Sequence, residues 1–122
     1  MQLASARIIT TDVDRSVAFY RRLLGVEPER LAPVFAAFRA DTGTLAIGHP
    51  STVPVQGFGA GHDGVIVEFL EESPEAVDAA HTRLRDLGVV QEPTDMPWGN
   101  RSMLLRDPDG NVINVFARPA AG

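Results

Sequence analysis

Three histidines, His49, His62 and His81, are the side chains of this 122-residue chain whose ordinary pKa lies near neutrality; cysteine and lysine are both absent. Without cysteine there is no thiolate chemistry, zinc ribbon or disulfide framework. Without lysine there is no Schiff base and no phosphate-loop cation. His49, His62 and a carboxylate could together hold a metal, yet nothing in the sequence fixes their separation. His49 stands beside Pro50 at a strand exit, His62 in a Gly- and Pro-rich stretch and His81 on a helix. Histidines in such places are more often solvated. The other feature with chemical content is an amide inside an apolar strand: Asn114 interrupts Val112, Ile113, Val115 and Phe116. It either lines a cavity or satisfies a neighbouring backbone group.

The elements that position these residues follow from composition and spacing. The chain is long enough to bury a core, and its 44% hydrophobic content excludes a disordered polymer. No apolar run approaches the roughly 20 residues of a membrane span, and "MQLASARIIT" lacks the basic and apolar regions of a signal peptide. A cytoplasmic location without membrane association is therefore expected. The formal charge of -5 argues against nucleic acid as a partner.

"TDVDRSVAFYRRLLG" (11–25) predicts a helix capped by Asp12 and stopped by Gly25, and "SPEAVDAAHTRLRDLG" (73–88) a second, capped by Ser73 with Pro74 at its first position. Each follows an apolar strand-like run. Downstream, "RADTGTLAI" (39–47) lies over "RDPDGNVIN" (106–114) without a gap, pairing Gly43 with Gly110 and Ile47 with Asn114. Both segments read as β-hairpins. Gly25 and Gly88 are 63 residues apart and Gly43 and Gly110 are 67, so the second half carries a four-residue insertion, placed in "VVQEPTDMPWGN". The expected organisation is α+β: a single domain over 1–122 with module 1 about 1–50, a linker about 51–63 and module 2 about 64–122. Strands are expected near 3–10, 34–39, 44–49, 64–70, 101–106 and 111–117. Helices on the outer faces would leave two curved sheets to enclose a cleft.

In this order and spacing, "DVDRSVAFYRRLLG", "PWGNR" and "RDPDGNVINVF" resemble the vicinal-oxygen-chelate superfamily of glyoxalases, bleomycin-resistance proteins and extradiol dioxygenases. The resemblance implies paired βαβββ modules, a homodimer and, in the family's enzymes, a divalent metal held by His or Glu on four strands. Carried over, those metal positions fall on Ser5, near Ile47, on Val65 and on Asn114. A hydroxyl and a neutral amide are poor transition-metal ligands and the other two supply no lone pair. No metal and no cofactor is expected.

Strand alternation then selects a cleft lining. Asn114 and Phe116 share a side, and with a turn at 107–110 their cross-strand neighbours are Met103 and Arg101. In the first half Leu45, Ile47 and His49 pair with Phe38, Ala36 and Val34, while Ser5 and Arg7 point together, as do Val65 and Val67. Glu68 is expected on the opposite side. Trp98, the only tryptophan, is read as a wall for a planar ligand, with a plug at the core edge as the other reading. The expected ligand-binding set is thus Ser5, Arg7, Phe38, Ile47, His49, Val65, Trp98, Arg101, Met103, Asn114 and Phe116. A lining so apolar suits a small organic molecule, with Arg7 for an anionic group. The leading expectation is a metal-free binding protein resembling bleomycin-resistance proteins. The alternative is a lyase, isomerase or dioxygenase of the same superfamily with a non-standard or absent metal site.

Overall fold

Both helix caps form as their sequences dictate. In the computed structural model, which describes residues 3–53 and 65–120, the Asp12 carboxylate accepts the Arg15 N–H at 3.0 Å and the Ser73 hydroxyl accepts the Ala76 N–H at 3.1 Å. They open α1 (Val13–Leu24) and α2 (Pro74–Leu84). Gly25 ends α1 at φ 70°, a left-handed conformation that brings its N–H to the Arg21 carbonyl. Among the described residues no helix is long and apolar enough to cross a membrane.

Eight strands complete the chain: β1 (Ser5–Ile9), β2 (Glu29–Ala32), β3 (Phe35–Ala40), β4 (Gly43–Gly48), β5 (Ile66–Leu70), β6 (Val89–Asp95), β7 (Arg101–Arg106) and β8 (Val112–Ala117). They form two four-stranded sheets of identical topology, β1-β4-β3-β2 and β5-β8-β7-β6, with the first pair of each parallel and the others antiparallel. The fold is α+β, built from two βαβββ modules with curved, open sheets. Contacts divide it into two compact units, Met1–Gly61 and His62–Gly122. β2 and β6 lie outside the strands expected from sequence. The second half is the longer one here: β6 has 7 residues where β2 has 4.

Each helix covers one face of its own sheet. Ile8, Ala36, Phe38, Leu45 and Ile47 form the buried face of the first, facing Val13, Val17 and Tyr20 of α1. In the second, Met103, Leu105, Ile113, Val115 and Ala117 are buried beneath Val77, Ala80 and Leu84 of α2. Each large apolar side chain so buried contributes about 1.5–3 kcal/mol, and this burial holds the helices in place.

The two hairpins differ by one residue, which overturns their gapless match. In the first, Arg39 pairs with Thr44 and Ala40 with Gly43, so only Asp41 and Thr42 turn the chain. In the second, Arg106 pairs with Val112, leaving the loop 107–111. Asp107 causes the difference. Its carboxylate accepts the N–H groups of Asp109 (2.9 Å) and Asn111 (2.8 Å) and the Asn111 side-chain amide (2.8 Å), drawing Asn111 out of the strand. Gly110 takes the left-handed φ of 87°, whereas Gly43 is an ordinary strand residue. The structural counterpart of Asn114 is therefore Ala46, which lies between Arg7 and Ala37 as Asn114 lies between Glu68 and Leu104.

Candidate functional site

A one-residue slip in pairing moves a strand's side chains to the other face, so the register reassigns the expected lining. On the second sheet's uncovered face stand Ile66, Glu68 and Leu70 of β5, Val112, Asn114 and Phe116 of β8, and Ser102 and Leu104 of β7. Asn114 donates through Nδ2 to Glu68 Oε2 at 2.8 Å, directly across the parallel β5–β8 pair. Its Oδ1 is buried and accepts no hydrogen bond among the described residues. The amide thus serves a carboxylate, and the reading in which it satisfies a backbone group falls. Phe116 shares this face as expected, half-buried, with the Arg118 guanidinium 6.0 Å from its ring centroid.

Five of the expected lining residues lie on the helix-covered side. Met103 is fully buried opposite Val115. Arg101, on the same side, donates to Asp78 of α2 at 2.8 Å and to Asp95 at 3.0 Å. Asp78 first, then Asp95, raise its pKa further by accepting from it. Phe38 and Ile47 are core residues beneath α1. His49 turns toward the start of α1, lining a depression of ≈ 280 Å³ with Thr11, Asp12, Val13, Asp14, Pro33 and Val34. Its Nδ1 accepts the Ser51 N–H at 3.0 Å and caps the short 3-10 turn Pro50–Thr52, leaving the proton of the neutral ring on Nε2. Val65 precedes β5 and shares the parity of the helix-facing Val67; Glu68, expected to face away, is the β5 residue beside Asn114. His62 lies outside the described residues.

On the first sheet Ser5 and Arg7 do share the uncovered face, with Ala46, Gly48 and Phe35. The Arg7 guanidinium lies 5.9 Å from the Phe35 ring centroid, a cation–π arrangement. Gly48 makes room for it: a Cβ there would sit 3.2 Å from Arg7 Cδ and 3.0 Å from Thr52 Oγ1. Trp98 is 69% exposed on the loop 96–100, which is closed by the Met96 N–H to the Asn100 carbonyl at 2.7 Å. That exposure rules out a plug in the core.

The resemblance implies a divalent metal in the family's enzymes, and the side chains at the corresponding strand positions do not fit one. By register they are Ser5 and Ala46 in one unit and Ile66 and Asn114 in the other. Among the described residues no three His, Cys, Asp or Glu side chains converge. A hydroxyl and a neutral amide are poor transition-metal ligands and Ala46 and Ile66 supply no lone pair, while Arg7 beside Ala46 adds a positive charge.

The chain matches the model of the Glyoxalase/Bleomycin resistance protein/Dioxygenase superfamily over residues 2–115 and belongs to that superfamily. A "Trivalent organoarsenical cleaving enzyme" of Bacillus sp. (strain MD1) is 28% identical over 95% of this chain and 73% of its own length. Among solved structures, a glyoxalase/bleomycin resistance protein from Albidiferax ferrireducens T118 is 29% identical, with a TM-score of 0.77 over 96% of this chain and 98% of that one. Lactoylglutathione lyase from Agrobacterium tumefaciens is 25% identical, with a TM-score of 0.76 over 95% and 92%.

Proposed function

We propose that this chain is a small-molecule-binding protein of its superfamily that holds an organic ligand on the uncovered sheet faces without a catalytic divalent metal. The observation that carries the reading is the donor set: Asn114 bonded to Glu68 on β8 and β5, and Arg7 beside Ala46 on β1 and β4. Hydrogen-bonding groups among apolar side chains suit recognition of an organic molecule. Elemental analysis of protein purified without chelator is expected to show no stoichiometric zinc, nickel, iron or manganese, and the melting curve is expected to be unchanged by EDTA. Near-stoichiometric metal, lost together with several degrees of melting temperature, overturns the reading.

A second reading, an enzyme, is favoured by one specific feature. Glu68 is an exposed carboxylate on the uncovered face, in position to accept a proton from a bound substrate. The relatives named for arsenical cleavage and lactoylglutathione lysis add weight to that class. A trivalent arsenical is a soft electrophile suited to thiolates, and this chain contains no cysteine, so that substrate is not carried over.

Assembly as a homodimer belongs to the same proposal, motivated by the apolar side chains of Leu3, Leu31 and Val90 left exposed on the single chain. Sedimentation velocity at micromolar concentration is expected to give twice the chain mass; a stable monomer there refutes it.

A further inference from the structure

The Glu68–Asn114 pair is organised around acceptors. Asn114 gives an N–H to one Glu68 oxygen, while its own Oδ1 is buried without a partner among the described residues. A buried carbonyl oxygen left unsatisfied is destabilising, whereas an apolar side chain of the same shape carries no such penalty. The unpartnered Oδ1 offsets what the bond to Glu68 contributes, so the amide brings little net stability. Its effect is to fix the Glu68 carboxylate, itself on an exposed strand residue and with no cation paired to it among the described residues. Glu68 stands between Ile66, 55% exposed, and Leu70, 56% exposed, on the same face of the strand, with Phe116 diagonally across. An oriented negative charge framed by exposed aliphatic and aromatic groups complements one chemical class.

We infer that this face binds an organic cation, a protonated amine carried on an apolar body, with Glu68 receiving the ammonium group and Asn114 acting as a positioning residue. The inference rests on the binding reading above and specifies its ligand class. The ammonium donates to the Glu68 oxygen that Asn114 leaves open, and the charge-assisted bond is strengthened by its apolar frame. The hydrocarbon body lies against Ile66, Leu70 and Phe116. Arg106, at the turn end of the face, donates to the Gly110 carbonyl at 2.6 Å and so points its charge toward the turn.

The test uses three probes of similar shape, phenethylamine, phenethyl alcohol and hydrocinnamate, titrated into the full chain by calorimetry and by amide chemical shifts. Phenethylamine is expected to bind about tenfold more tightly than the alcohol, the magnitude of one charge-assisted bond, and hydrocinnamate more weakly than either. Glu68→Gln, a change at an exposed position, is expected to abolish the preference. Asn114→Leu is expected to weaken amine binding while raising Tm by about 3 °C, a combination that a purely structural amide would not give. Equal or tighter binding of the alcohol or the carboxylate overturns the cation assignment while leaving a metal-free binding protein standing. So does a preference that survives Glu68→Gln, or amine binding that never saturates. Stoichiometric metal, by contrast, removes the underlying reading and leaves the amine preference to be judged on these titrations alone.

Discussion

Met103→Ala is expected to lower the unfolding free energy by about 2–5 kcal/mol and to leave the ligand affinity of the folded protein unchanged. The side chain has 0% exposure and stands opposite Val115 on the face that α2 covers. Truncation removes the buried Cγ, Sδ and Cε from between strand and helix, and close-packed neighbours recover only part of the space. Leu104, one residue on, is half-buried on the uncovered face beside Asn114. Leu104→Ala is thus the matched control, with a smaller loss of stability and a larger loss of affinity. Denaturation midpoints and titrations of the two variants check the assignment of faces. A Met103→Ala protein that keeps its stability but binds more weakly would restore Met103 to the lining and sink the register argument.

Much of this architecture was legible because the signals were local. Asp12, Gly25, Ser73 and Pro74 carry their helix boundaries in their own chemistry, and the repeated order of capped helix and hairpin showed two modules. The placement of Asn114 and Phe116 on one face needed only the two-residue period of a strand. Pairing across strands was another matter. The assumed turn at 107–110 was one residue too short, and that error alone exchanged Leu104 for Met103 and put Arg101 in the lining. The residues that lengthen the turn, Asp107 and Asn111, are visible in "RDPDGN", but their mutual bonding is a three-dimensional fact. Glu68 was missed for a related reason. The apolar Val65 and Val67 point to one side of β5 as the cleft side, whereas Val67 and Phe69 lie with the buried Ile113 and Val115 on the helix side. On the first sheet, β3 and β4 hold buried residues on both faces: Ala37 and Ala46 on one, Phe38, Leu45 and Ile47 on the other. Hydrophobicity there cannot tell the two faces apart. β2 and β6 gave little signal because their sequences, "ERLA" and "VVQEPTD", are short or broken by proline and charge.

Asp107→Ala is expected to cost about 3 kcal/mol and to erase the amine preference together with the stability. The carboxylate is almost fully buried and accepts from the Asp109 and Asn111 backbone N–H groups and from the Asn111 amide. Alanine leaves those donors without their charged acceptor, and with them goes what holds Asn111 in the turn. The backbone bonds that remain are Gly110 N–H to the Asp107 carbonyl and Asp107 N–H to the Asn111 carbonyl, both 2.9 Å. They close the loop but do not by themselves exclude the tighter turn of the first hairpin. A slip to that turn would carry Asn114 from the uncovered face into the core side and break its bond to Glu68. Asp107→Asn is the informative companion. Its Oδ1 can still accept both backbone N–H groups, while its NH2 cannot accept from Asn111, so a loss of about 1 kcal/mol is expected with the amine preference retained. Thermal and urea denaturation give the energies, and cross-strand nuclear Overhauser contacts between Glu68 and Asn114 report the register directly. If Asp107→Ala keeps those contacts and its stability, the turn is not what places the candidate site. If Asn proves as damaging as Ala, the charge rather than the geometry of Asp107 sets the hairpin.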